Sequence, residues 1–179
     1  MIFAGLLAIA GFAYYGAHRG IDKTERVAEQ AARAELGRDI DVRCPGPQAE
    51  RIDKPQLEGR VDFGPDGRPK PYTKLSPKTC IGLRVLVQRS TVLDWTCLQQ
   101  GSCRHEEDSA ALGVAVLTHE LMHLRGVADE AVAECLARKA LPTVAGALRL
   151  DPEEIRAVAA YQVQVLEPKL GPQYQGGTC

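Results

Sequence analysis

Aromatic side chains are scarce in this 179-residue chain, at 5% against 45% apolar residues in all, so any core must be largely aliphatic and alanine-rich. Neither sign of charge prevails: 22 basic against 23 acidic residues leave a formal net charge of −1, with no clustered basic stripe. That excludes a nucleic-acid-binding face. None of the six cysteines stands in C-x-x-C spacing with another, which argues against a cysteine-ligated zinc site and a thioredoxin-like motif. There is no internal repeat and no low-complexity segment. The length suits one modest domain with an anchor or arm, not two full domains.

Cys44, Cys80, Cys97, Cys103, Cys135 and Cys179 are even in number and dispersed. This is the pattern of disulfides formed in an oxidising compartment rather than of buried cytosolic thiols. Many connectivities are open to six cysteines. The expected set is Cys44–Cys80, Cys97–Cys103 and Cys135–Cys179, the last stapling the C-terminal tail to the helix that carries Cys135.

Residues 1–17, MIFAGLLAIAGFAYYGA, carry no charge. As a helix they span roughly 25 Å, near the lower limit for crossing a membrane. No basic segment precedes them and Gly16-Ala17 is a poor cleavage signal, so an uncleaved transmembrane anchor is expected rather than a signal segment or a core helix. His18, Arg19, Lys23 and Arg26 follow the span, and the positive-inside rule alone would keep the remainder cytoplasmic. The cysteines point the other way. The expectation follows them: a membrane-anchored, extracytoplasmic domain, divided into an anchor (1–17), a helical arm with a first strand (18–43) and the main domain (44–179).

Residues 22–36 are rich in Ala, Glu and Arg with helical apolar spacing, and Gly37 is a natural stop. Residues 39–44 and 57–63 alternate and read as strands, Gly64-Pro65-Asp66-Gly67 as a turn, and 72–75 as a third strand. Ser76-Pro77 looks like an N-cap and first helical position, opening a helix through Leu86. Residues 90–107 read as a loop. A long helix should begin near Asp108-Ser109 and end at Gly126. A further helix is expected from Glu130 to Leu141, capped by Asp129 and ending before Pro142. The last should start at Asp151-Pro152 and end before Pro168.

Within the long helix stands His119-Glu120-Leu121-Met122-His123, an H-E-x-x-H sequence. The i, i+4 spacing puts both imidazoles on one face, about a turn apart, where both can reach one tetrahedral ion. Glu120 lies beside them and can take a proton from a metal-activated water without occupying a coordination position. His119 and His123 are therefore candidate ligands of a zinc ion (Zn2+), with Glu120 the candidate catalytic base. Two histidines and a glutamate on an otherwise oily helix need such a reason, because unpaired buried charge is costly.

The motif resembles that of the zincin metallopeptidases, most closely the gluzincin branch, in which a glutamate on the following helix is the third ligand, often within E-x-x-x-D. Here Glu130-Ala131-Val132-Ala133-Glu134 follows. The resemblance implies Glu130 as third ligand and Glu134 as the carboxylate that orients a ligating histidine. It departs from the usual pattern in having Glu rather than Asp or Asn at 134 and a short gap between His123 and Glu130. Two alternatives stay open. His119 to Asp129 also fits H-E-x-x-H-x-x-G-x-x-D, which is similar to the metzincins and would make Asp129 the ligand, although the only methionines, Met1 and Met122, provide no downstream Met-turn. In a tight antiparallel helix pair, Glu134 would lie nearer the level of the histidines. His105 could add a donor but reads as a solvated loop residue, and Tyr161 and Tyr174 are oxyanion donors only in principle.

The expectation is an α+β, zincin-like domain with a small antiparallel sheet, the H-E-x-x-H helix and following helices, on an N-terminal transmembrane helix. Its reaction would be zinc-dependent hydrolysis of a peptide or protein substrate, with an edge strand from 57–63 or 71–75 receiving the chain. The rival readings are a non-catalytic, structural zinc protein that keeps the helix pair, and a disulfide-stapled adaptor in which the motif is a coincidence.

Overall fold

The computed structural model describes residues 23–45, 58–88, 93–100, 103–174 and 177–179. The chain opens with a helix, α1, over residues 23–36, followed by strands β1 (Asp41–Arg43), β2 (Gly59–Phe63) and β3 (Pro69–Leu75). Helices α2 (Pro77–Gln88), α3 (Thr96–Gln100), α4 (His105–Leu124), α5 (Glu130–Ala147) and α6 (Pro152–Tyr161) complete it, with a π turn at Gln162–Leu166 and short 3-10 turns at Glu167–Lys169 and Pro172–Tyr174. The expected α+β class is observed. None of the helices among the described residues is long and apolar enough to cross a membrane, and the anchor expected over residues 1–17 lies outside the described residues.

The sheet corrects one expectation. β2 and β3 form an antiparallel hairpin across the Gly64–Gly67 turn, but β1 pairs with β3 in parallel, giving the order β1-β3-β2. The sheet is therefore mixed. After β1 the chain reaches the far edge as β2, and the returning strand fills the space between. β2 is left with one unpaired edge among the described residues.

α4 is the central element. Of its residues, Ala110, Ala111, Val114, Leu117, Leu121 and Met122 are fully buried, and one cluster joins them to Ala31 of α1, Val42 of β1, Leu83 of α2, Leu141 of α5 and Val158 of α6. A helix apolar nearly all round belongs inside, and that is where α4 lies. The scarcity of aromatics is met as expected, by small and branched aliphatic side chains.

Element boundaries differ from the sequence reading in several places, among them β3, which begins at Pro69 rather than 72, and α6, which ends at Tyr161 and gives way to the π turn. α4 starts at His105, ahead of Asp108, because Glu106, Glu107 and Asp108 suit its positive first turn, where Arg104 Nη2 pairs with Glu107 Oε1 at 2.9 Å. α5 continues past Pro142 to Ala147. The proline ring forfeits one backbone hydrogen bond, but Leu141, Val144 and Ala145 go on burying the same face, and burial wins. The expected 90–107 loop contains α3, whose Cys97 is bonded to Cys103. The other pairs are Cys44–Cys80 and Cys135–Cys179, the connectivity expected. As anticipated, Ser76 caps α2, its Oγ accepting from Thr79 N at 3.1 Å, and Asp151 closes a capping box with Glu154.

α2 and α4 approach so closely that a Cβ at Gly82 would overlap the carbonyl oxygen of Ser109. Gly82→Ala must push two helix backbones apart and should destabilise the protein by at least about 2 kcal/mol. Gly146, exposed on α5 with nothing near its missing Cβ, is the contrast. Gly146→Ala should stabilise by about 0.5 kcal/mol. Denaturant melts of the two variants should move in opposite directions.

Candidate metal centre

The centre is assembled by the α4–α5 hairpin. α4 carries His119, Glu120 and His123 along one side and ends at Leu124. Gly126 takes φ 98°, a conformation open to glycine, and reverses the chain. Asp129 then caps α5, its Oδ1 accepting from Val132 N at 2.9 Å. This brings Glu130, in the first turn of α5, and Glu134, one turn on, against the histidines.

Three atoms converge. His119 Nε2 and His123 Nε2 lie 3.0 Å apart, and Glu130 Oε2 lies 3.0 Å from the first and 3.2 Å from the second. These residues form a group able to hold one metal ion. A tetrahedral site with bonds of roughly 2.0–2.1 Å has donor–donor edges of about 3.3 Å, close to the observed triangle.

The far side of each ring fixes its protons. His123 Nδ1 lies 2.7 Å from the carbonyl oxygen of Val127, which can only accept, so Nδ1 carries the hydrogen. His119 Nδ1 lies 3.0 Å from Glu134 Oε2. Glu134 is held in turn by Gln162, whose Nε2 donates to Glu134 Oε1 at 2.7 Å. With both hydrogens on Nδ1, both Nε2 lone pairs face the Glu130 carboxylate. Two lone pairs and an anion converging on one space favour a cation among them, either a metal ion or a proton on a ring nitrogen. The donor set therefore fits a divalent metal ion.

Without an ion, protons respond to the same field. Burial works against charging His119, but its hydrogen bonds to Glu130 and Glu134 and the nearby Glu120 outweigh burial and push it up to about 9. The bonds to His119 and His123 hold Glu130 down to about 2, against the effect of burial. Glu134 is lowered as well, its bonds to His119 and Gln162 overcoming burial.

Glu120 stays out of this triangle. It is buried beside it, and its Oε2 has no hydrogen-bond partner among the described residues. Burial raises its carboxyl to about 7, with His119 and His123 pulling the other way. A Cβ at Gly59 would lie 2.5 Å from Glu120 Oε1, so β2 presses directly on this carboxylate. Glu120 and the three donors line a cleft of about 380 Å³ together with Gly59 and Val61 of β2, Leu112 and Val116 of α4, and Leu166, Leu170 and Tyr174.

Of the other sequence candidates, Asp129 is engaged as a helix cap. His105 is exposed at the start of α4, with Nδ1 3.0 Å from Ser109 Oγ. Tyr161 donates to Asp108 Oδ1 at 2.7 Å, away from the cleft. Tyr174 does reach it, with its ring centroid 5.8 Å from that of His119. Sequence reasoning missed Gln162, Val127 and Gly59. Gln162 had one signal: it follows Val158 by four residues and so continues a buried stripe with a polar side chain. A backbone carbonyl such as that of Val127 leaves no such mark.

Comparison with protein-family models, characterised proteins and solved structures finds no match to this chain.

Metal titration of the purified protein should show one divalent ion per chain, lost in His119→Ala. Glu130→Ala should remove a donor and weaken binding by several orders of magnitude. Glu134→Gln should weaken it only about 10–100-fold, the usual effect of a group that orients a ligand. The reverse order would exchange the two glutamates.

Proposed function

We propose that the chain is a zinc-dependent peptidase of gluzincin-like type. The observation that carries this reading is the separation of duties in the cleft: three donors converge on one point while Glu120 stands beside them, buried, its Oε2 without a hydrogen-bond partner among the described residues. A structural site needs the donors but has no use for such a carboxylate, whose buried oxygen without a hydrogen bond costs about 1–3 kcal/mol.

His119, His123 and Glu130 would hold the zinc ion, a set of two imidazoles and one carboxylate typical of open catalytic sites. When bound, zinc lowers the pKa of a water toward neutrality and polarises a scissile carbonyl. Glu120 would accept a proton from the attacking water and deliver it to the leaving nitrogen as the C–N bond breaks. Glu134 and the Val127 carbonyl hold the rings with Nε2 toward the site. β2 lines the cleft and has one edge unpaired among the described residues, whereas β3 is paired on both sides, which favours β2 over β3 as the strand that receives an extended peptide. Three disulfides favour an oxidising compartment, which supports the reading of an extracytoplasmic domain with residues 1–17 as its anchor.

Glu120→Ala should keep its zinc and lose peptide hydrolysis by about 10²–10⁴-fold, measured on a mixed peptide library. If wild type with full zinc cleaves nothing in that library, the centre is structural and the peptidase reading falls.

A further inference from the structure

The helices and sheet do not line the cleft alone; residues of the segment that follows α6 line it as well. After α6 the backbone widens into the π turn, and Leu166, Leu170 and Tyr174 then line the cleft together with Val61 of β2 and Leu112 and Val116 of α4. This segment is fastened along α5 at separated points. Glu167 pairs with Arg138, the carbonyl oxygen of Cys179 accepts from Lys139 Nζ, and Cys179 is bonded to Cys135. Gly177 lies so near α5 that a Cβ there would overlap the carbonyl of Ala131, one residue from Glu130. Its innermost ring, Tyr174, is half-buried with its centroid 5.8 Å from that of His119.

We infer that this segment is the second wall of the substrate cleft, fastened to α5 by Cys135–Cys179, with Tyr174 the side chain that covers His119. The inference rests on the proposed function for what the cleft receives, but not for the existence of the wall. Tyr174 acts as a positioning residue: it limits access to the imidazole and, with Leu170, gives the cleft an apolar far side. That side suits a substrate with an aliphatic side chain next to the bond that is cut.

The deciding test needs neither metal nor turnover. Full-length protein stripped of metal is treated with diethyl pyrocarbonate, and the modification rates of His119 and the exposed His105 are followed by mass spectrometry. Tyr174→Ala should raise the His119 rate relative to His105 about five- to tenfold, and Cys135→Ala/Cys179→Ala at least as much. The single variant retains the disulfide, so the result stands if the double variant fails to fold. An unchanged His119-to-His105 ratio in Tyr174→Ala overturns the inference. In zinc-loaded protein, Tyr174→Ala should also weaken N-acetyl-leucine hydroxamate about tenfold while leaving acetohydroxamate unchanged. Equal weakening of both would overturn the apolar wall. Should the protein take up no zinc, the proposed function fails and the histidine rates still decide the wall.

Discussion

Two imidazole nitrogens and a carboxylate oxygen, held about 3 Å from one another with the ring hydrogens turned away, form an arrangement that needs positive charge at its centre. Much of the surrounding structure serves that requirement. α4 must be buried to hold the histidines in a dry setting. The chain must reverse within a few residues after it so that α5 can return a carboxylate to the same point. Gly126 permits the reversal, and Asp129 starts α5 in the register that brings Glu130 and Glu134 to the rings. In the absence of an ion, the acidity shifts of His119 and Glu130 express the same demand met by a proton.

The hydrogen-bond chain behind the rings shows how far the demand extends. It runs from His119 through Glu134 to Gln162, at the first residue of the π turn. Such widened turns recur at functional sites. Here the turn begins at the residue that holds Glu134, and after it the backbone leads into the segment that faces the cleft. Gln162 Nε2 donates to Glu134, and its own oxygen is buried without a partner among the described residues. Glu120 Oε2 is in the same state, so two of the four buried side-chain atoms without a partner among the described residues belong to residues lining the cleft; the others are Arg84 Nε and Glu107 Oε2.

How much of this was legible depended on distance along the chain. The H-E-x-x-H pair could be read because i, i+4 spacing on a helix is a local rule, and α4 was marked by its apolar length. The choice among Glu130, Glu134 and Asp129 was not local. It turned on the angle and register of the α4–α5 hairpin, which Gly126 and the Asp129 cap set. The parallel placement of β1 escaped for a similar reason, since hairpin signals describe neighbours in sequence and not a strand that inserts between two others. Gly59, Gln162 and Tyr174 reach the centre from remote positions. Nothing beside Gly59 in sequence announces that its missing side chain makes room for Glu120.

The connectivity of the disulfides carries a consequence for how such a chain is made. Cys44 joins Cys80, Cys97 joins Cys103, and Cys135 joins Cys179, so each cysteine bonds to its neighbour in order and no covalent loop encloses or interlaces with another. A polypeptide entering an oxidising compartment amino end first can close each loop as its second thiol emerges, with no earlier bond to be reopened. The final closure brings the terminal residues onto α5 after every donor of the metal centre has already been delivered. Biogenesis would thus proceed as a one-way sequence, with Cys135–Cys179 the last of these three bonds to close.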